Sequence, residues 1–524
     1  MKLERLPEYT TIVVTIFCGM LLALYVGVSA GTGSRTPVIL LAGFLAMAVA
    51  LTLKEKIWLL IPISSTFTGT VAGSSFNLSH LSIFYVFSVY LTLRALKIVR
   101  SKASYGWLDY LLFANLAYLA VTYLRNPVGT NSTGFEKIGG RPYVEIIFML
   151  LAYYVLGLVK ISPKLAMRLP LLMILGSTFN TLAGAVGAFF PSVGMKLYSI
   201  YSAFAPPQSV VLGTADPNGV NRETYMASGG SKIFQALCSY FPPLSLLNPI
   251  HLFRFAITLL ALIAILKSGF RSILFDAFIF AVIATYFRSG AASVIRIAAL
   301  AGSIIIIAVM GQGTLFNLPL NMQRSLSFLP GRWDSSSVQD AKGSTEWRHE
   351  IWDNVRRSGN KYINNWWFGD GFGMTREQLR ESQMITSDSQ ENLTIAGDYH
   401  SLPLSTIHVV GYVGLVLLMI QLIGQSFYAY KLVARSRRTP FFALALFVAA
   451  PQVYLPVTSI LIFGAFNLTA PGNVIAVAWM RLISRSLEAY LEEKKQSAST
   501  RPAPLPDFEF APQFLKASIT KGSL

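Results

Sequence analysis

Apolar runs long enough to cross a bilayer recur along almost the whole chain, and this repetition limits the possible folds more than any single motif does. Crossing about 30 Å of hydrocarbon as a helix takes roughly 17–25 residues. Runs of that kind read at 8–29, 37–53, 57–73, 78–96, 108–124, 144–160, 168–190, 250–267, 271–287, 290–310, 403–428, 440–464 and 470–484. A further apolar stretch, 232–249, is broken by Pro242, Pro243 and Pro249 and reads as re-entrant or interfacial. Composition agrees. Hydrophobic residues make up 53% of the 524 and charged ones only 13%, too few to cover a soluble protein of this size. The expected fold is all-α, a polytopic transmembrane helical bundle of about 12–14 spans with one long loop that contains short helices.

The formal charge of +18 could suggest nucleic acid as a partner. Its placement argues against that. Lys54 and Lys56, then Arg94, Lys97, Arg100 and Lys102, then Lys160, Lys164 and Arg168, then Lys431, Arg435, Arg437 and Arg438 all fall in short gaps between runs. They alternate with less basic gaps, as the positive-inside rule requires, so both termini are expected in the cytoplasm. Most of the charge is topology, with a small remainder to explain. The opening "MKLER" and its apolar run resemble a secretion signal, but about twenty apolar residues fit an uncleaved first span better. Cys18 and Cys238 lie in or near apolar segments and suggest neither a metal site nor a disulfide framework.

The expected organisation is an N-terminal bundle over 1–310, a long extracytoplasmic loop over 311–402, further spans over 403–490 and a Pro/Ser-rich tail over 491–524. Counting from either terminus puts both 191–231 and the long loop outside, so an even number of crossings must join them. Only three are read. Either 232–249 also crosses or 290–310 dips in and returns, and that choice decides which side Arg288 faces.

Ionisable groups near the membrane each need a reason. Arg288, in "ATYFRSGAAS", is either a snorkelling arginine at a helix end or an anion clamp. Arg296, deeper in its run, reads as a structural or an interhelical partner. In the loop, "STEWRHEIWDNVRR" reads as a helix capped by Ser344 or Thr345. Trp347, Ile351, Trp352 and Val355 then share one face, and Arg348 lies on another, where Glu346 and Glu350 could pair with it. Arg222 and Arg141 sit at outer edges of spans, where snorkelling is the plain reading. "GDGFG" is turn chemistry with no clear helix start after it, so it is a weak phosphate-loop signal. His408 reads as packing or bonding between helices. His400 is different, because an imidazole, a side chain able to take or give a proton, stands where a polar loop becomes a span, with Asp398 or Tyr399 beside it to orient the ring.

Four features, taken in order, resemble the O-antigen ligase and polysaccharide polymerase family of bacterial envelope proteins. These are "FRSGAAS" at a span end, "RHEIW" in a long loop, the turn "NWWFGDGFG", and "HSLPL…VGYVGL" leading into a glycine-containing span. The resemblance covers roughly 270–425 by motif; Phe287 and Ser401 stand where the family often has Ser and Asn. It implies an enzyme of the bacterial inner membrane with its long loop in the periplasm. The donor would be an undecaprenyl-diphosphate-linked glycan and the acceptor a hydroxyl of another glycan or of lipid A core. It implies that Arg288 and Arg348 bind the diphosphate and that His400 is the general base. Arg222, Arg141, Trp352, Asp398 and Tyr399 are substrate-contact candidates. No metal or other cofactor is expected, since the first outer loop, "GVSAGTGSRTP", lacks the acids a divalent cation needs and arginines can supply its charge. The competing class is a transporter or flippase of lipid-linked or anionic glycans, although no repeat between the two halves supports it.

Overall fold

The computed structural model describes residues 49, 52–71, 76–101, 103–129, 137–206, 222–384, 394, 397 and 399–499. The expected spans 8–29 and most of 37–53, together with Asp398, lie outside the described residues.

The apolar runs become helices close to where hydropathy places them. In chain order these are α1 (Leu78–Ala95), α2 (Trp107–Arg125), α3 (Arg141–Leu158), α4 (Leu169–Phe189), α5 (Thr224–Tyr240), α6 (Leu252–Lys267), α7 (Arg271–Ser289) and α8 (Ala291–Gly311). The long loop holds α9 (Leu320–Leu326) and α10 (Ser335–Arg357), and the chain returns through α11 (Leu402–Ser436), α12 (Phe442–Leu461) and α13 (Phe466–Ser499). Eight of the described helices are long and apolar enough to cross a membrane, so the protein is an all-α, multi-pass membrane protein. The most buried span windows are in α11 and α12, at 50%, whereas α8 is only 11% buried and faces outward. The core of the bundle therefore lies on the C-terminal helices.

Two expected elements are redrawn. As far as residue 71, the run 57–73 is not one helix but a 3₁₀ turn (Lys54–Leu59), a short helix (Leu60–Ser64) and irregular chain over 65–71. The irregular backbone is satisfied by α4. Asn180 donates to the Thr66 carbonyl and the Thr68 hydroxyl, both at 3.0 Å, and the Ser177 amide donates to Thr66 Oγ1 at 2.9 Å. Non-helical chain survives at membrane depth only where protein supplies such partners. The C-terminal helix runs on through the "EEKKQ" stretch to Ser499, past the boundary expected at 490.

The parity problem is resolved by α5. The crossing helix starts at Thr224, upstream of the apolar stretch, and ends at Tyr240, just before Pro242 and Pro243 stop it. Its first turn lies near the long loop, where Glu223 meets Lys267 at 4.0 Å, and its last turn lies at the other end, where the Tyr240 hydroxyl donates to the Met167 carbonyl at 2.5 Å. Helices α5, α6, α7 and α8 thus run the length of the bundle four times between Arg222 and the long loop, and α7 and α8 are among the eight long and apolar enough to cross a membrane. One consequence is direct: Arg271 begins α7 at the loop end, and Arg288 finishes it at the opposite end.

A break in α11 anchors the long loop. Gly411 sits inside this 35-residue helix with φ +69° and non-helical geometry. The break leaves helical amides and carbonyls without their usual partners. The "GDGFG" turn and the residues before it supply them. Asp370 N donates to the His408 carbonyl at 2.7 Å, Gly371 N donates to the Val409 carbonyl at 2.9 Å, and Tyr412 N donates to the Trp366 carbonyl at 2.8 Å. A Cβ at Gly411 would collide with the Trp367 carbonyl, so glycine is required by both conformation and space. The turn clamps a kinked helix, and two of its amides are spent on that contact. A small sheet finishes the anchor, with β1 (Val128–Gly129) parallel to β2 (Lys137–Ile138) and β2 antiparallel to β3 (Met374–Thr375).

Candidate functional site

Helix α10 begins ten residues earlier than its sequence suggests, because Asp334 caps it by accepting from Ser336 N at 2.9 Å. Thr345 is therefore mid-helix. Its apolar face behaves as expected: Ile351 and Val355 are buried with Ile363, Tyr399, Leu404 and Ile407, and Trp347 and Trp352 pack against them. Trp352 Nε1 donates to the Tyr399 carbonyl at 2.8 Å. This seam docks α10 on the chain just before α11, and it brings two kinds of chemistry together.

The first is a group of four arginines at the loop end. Arg324, on α9, is almost fully buried, bonds the Asp340 carboxylate of α10 through Nε and donates to the Gly269 carbonyl through Nη1. Arg222, just before α5, reaches the same carboxylate at 3.6 Å. Arg271 donates through Nη2 to the Ala341 carbonyl at 3.0 Å and to Thr345 Oγ1 at 3.1 Å. Arg348 is the fourth. Its Nε is buried with no hydrogen-bond partner among the described residues. Of the two neighbours expected to pair with it, Glu346 meets Lys342 at 3.5 Å, and among the described residues neither Glu346 nor Glu350 forms an ion pair with Arg348. Burial and then the positive fields of Arg222 and Arg324 pull Arg348 below the ordinary guanidinium range. Guanidinium remains charged in proteins, so this cation is held where its charge is unfavourable.

The second is His400. Its ring lies 5.2 Å from that of Trp347, the residue before Arg348, and 5.3 Å from that of Phe463 at the end of α12. Its backbone is left-handed, φ +48°, which is uncommon for a residue with a Cβ and is the kind of strain that collects at functional sites. The neighbour Tyr399 is fully buried and shares a 2.8 Å hydrogen bond with His408 Nδ1, fixing the loop onto the first turns of α11. Burial, then Asp370 and Tyr362, push its hydroxyl well above the usual phenol range, so it stays protonated and structural. Ser401, the residue after His400, lines a cavity of about 650 Å³ together with Trp352, Arg356, Trp366 and Tyr412 among others; His400 itself is not in its wall.

Not all of the candidates meet here. Arg348, Arg222, Trp352, Tyr399 and His400 are at the loop end, as described. Arg141 starts α3 there as well, but it pairs with Glu145 at 2.8 Å, and α3 packs on α1 and α13 rather than on α7 or α10. The expectation that Arg288 joins Arg348 and His400 is corrected. Arg288 donates through Nε to the Cys238 carbonyl at 3.1 Å and through Nη2 to the Ser239 carbonyl, and its guanidinium lies 4.9 Å from the Phe442 ring centre. Its partners belong to the last turn of α5 and the first of α12, both at the end away from the loop. Arg296 donates to Ser293 one turn back on its own helix at 2.9 Å, which fits the structural one of its two expected roles.

Arg271, Arg324 and Asp340 were not singled out from sequence. The usable signal lay in "KSGFR", a basic connection between two apolar runs, but its side was undetermined while the number of crossings was odd. No protein-family model matches this chain, and no curated protein matches it.

Proposed function

We propose that the protein is a glycosyltransferase that moves a glycan from an undecaprenyl-diphosphate carrier to a sugar hydroxyl. The transfer takes place at the loop end, on the outer face of a bacterial inner membrane. The observation that carries this reading is a group of four arginines at the loop end: Arg222 and Arg324 share the single carboxylate of Asp340, Arg271 and Arg348 lie within their fields, and His400 packs on Trp347, the residue before Arg348. Basic residues at the opposite end, including Lys160, Lys164, Arg435, Arg437 and Arg438, favour assigning that end to the cytoplasm.

The reaction breaks the bond between the anomeric carbon and the phosphate oxygen and forms one from that carbon to the acceptor oxygen. Negative charge grows on the departing diphosphate, so fixed guanidiniums stabilise the transition state more than the ground state. Asp340 orients Arg324 and Arg222 without neutralising the group. His400 takes the acceptor proton, a role worth about 10²–10⁴-fold. The aromatic cavity that begins at Ser401 supplies flat apolar faces and hydroxyls suited to a pyranose ring. One displacement at the anomeric carbon gives inversion.

The test is transfer by purified, detergent-solubilised protein given a polyprenyl-diphosphate-linked glycan and an acceptor glycan. His400→Ala is expected to lose about 10²-fold or more of the rate; an unchanged rate removes the base assignment. Surface glycans of a deletion strain then separate the two subclasses on a gel. A single repeat still on its anchor indicates a polymerase, and unattached lipid-linked chains indicate a ligase.

One feature favours a second reading, movement of an anionic glycan across the membrane. Lys232 Nζ donates to Gln235 Oε1 at 2.9 Å, Gln235 Nε2 donates to Asp276 at 2.9 Å, and the Tyr454 hydroxyl donates to the same carboxylate at 2.7 Å, all between α5, α7 and α12. Charges at this depth are rare and line pathways in transporters. Appearance of labelled donor across proteoliposomes, without any new glycosidic bond, selects that reading.

A further inference from the structure

The positive-inside rule places basic residues at one end of a bundle, but it does not require them to converge on a cavity. At the end away from the long loop such a cavity exists, about 580 Å³ in volume. Its walls come from the Lys54–Leu59 turn, the chain after α1 and the connection between α3 and α4. Lys56, Arg100, Lys160, Lys164 and Arg168 line it, against one acid, Glu55. Among the described residues none of these five cations forms an ion pair. The walls are tied in place by backbone contacts. The Tyr90 hydroxyl donates to the Glu55 carbonyl at 2.8 Å, and Ser101 Oγ donates to the Leu158 carbonyl at 2.7 Å.

The other half of the lining is apolar, contributed by Trp58, Leu59, Ile98, Val99 and Leu158. The cavity also adjoins an outward apolar stripe. Phe84, Leu91, Leu96 and Ile98 are each more than half exposed along and just beyond α1. A soluble anion would use the cations and ignore the stripe. A phospholipid uses both, because its phosphates meet the cations while its acyl chains lie along the apolar helix surface. Five positive charges against one negative leave an excess of four, which suits more than one phosphate.

We propose that this cavity binds the headgroup of an anionic phospholipid bearing two phosphates, with its acyl chains on the exposed face of α1. The site is independent of the glycosyl-transfer reading, because the long loop and its arginines lie at the other end of the bundle.

The experiment is native mass spectrometry of the full-length protein in detergent, titrated with diphosphatidylglycerol or with phosphatidylcholine. The wild-type protein is expected to retain diphosphatidylglycerol selectively. K160Q/K164Q should weaken retention by at least about tenfold, since each basic residue near a membrane surface adds about fivefold to tenfold in affinity for anionic lipid. E55Q, which removes the only opposing charge, should tighten it. Equal retention by wild type and K160Q/K164Q, or equal retention of phosphatidylcholine, overturns the proposal. Inorganic pyrophosphate is the control for a free anion: if millimolar pyrophosphate displaces the lipid, the cavity takes soluble diphosphates and the lipid assignment falls. Thermal unfolding of each variant separates a lost site from a lost fold, and E55Q provides a gain that misfolding does not produce.

Discussion

Arg288 and Arg348 are the same side chain at two ends of one bundle, and their surroundings make them different. Arg288 meets carbonyls left open at the end of α5, together with the face of an aromatic ring, so its hydrogen-bonding capacity serves the fold. Arg348 is half-buried among other cations, with Nε unbonded and neither Glu346 nor Glu350 in an ion pair with it among the described residues. A cation that caps a helix has already found its counter-dipole. A cation held against like charges is left to bind something else. An arginine in an apolar chain is therefore not informative until its neighbours are known.

That contrast can be broken by four substitutions, taken from the largest expected effect to the smallest. Arg348→Ala should cost about 10³-fold in kcat/KM for lipid-linked donor, with Arg348→Lys recovering only part, because a point charge lacks the two-point grip of guanidinium. Steady-state transfer assays measure it, and a loss under threefold would erase the distinction between the two ends. Asp340→Asn should lower stability by about 3 kcal/mol, since it leaves the buried Arg324 without its counter-charge. A thermal shift equal to wild type would mean that the arginine group does not depend on this carboxylate. Gly411→Ala should cost about 2 kcal/mol through left-handed strain and collision with the Trp367 carbonyl. It should also loosen the long loop, read as faster proteolysis near the "GDGFG" turn. Arg288→Gln should leave kcat/KM within about threefold and remove about 1 kcal/mol of stability, the scale of a cation at a helix C-terminus. Loss of transfer with unchanged stability would return Arg288 to the catalytic set.

Much of the fold was legible in the apolar runs. Helices α1 to α4, α7, α8, α11 and α12 match their runs to within about nine residues at each end, because hydrophobic thickness dictates length. The site was legible only in part. Arg348 and the Trp347–Trp352 face followed from helical periodicity within one segment, and His400 from its position at a polar–apolar junction. Arg271 and Arg324 were not, since neither has a local pattern and each owes its place to a neighbour far along the chain. Helix α5 was misread because its first half, "TYMASGGSK", is too polar to score as a span. Its glycines allow close packing, Gly229 on Thr181 and Gly230 on Ala264, and burial against protein replaces burial in lipid.

Sequence alone determined that this chain crosses a membrane many times as helices, and that a long loop with an amphipathic tryptophan face leads into a span at His400. Hydrocarbon imposes those features residue by residue, so no partner segment is needed to read them. Tertiary structure decided which arginines share a site. It did so through the fourth traverse, α5, which sets Arg222 and Arg271 at the loop end and carries Arg288 to the other. Such a choice depends on one polar helix packed between others, and only the packing of distant segments makes that helix stable in place.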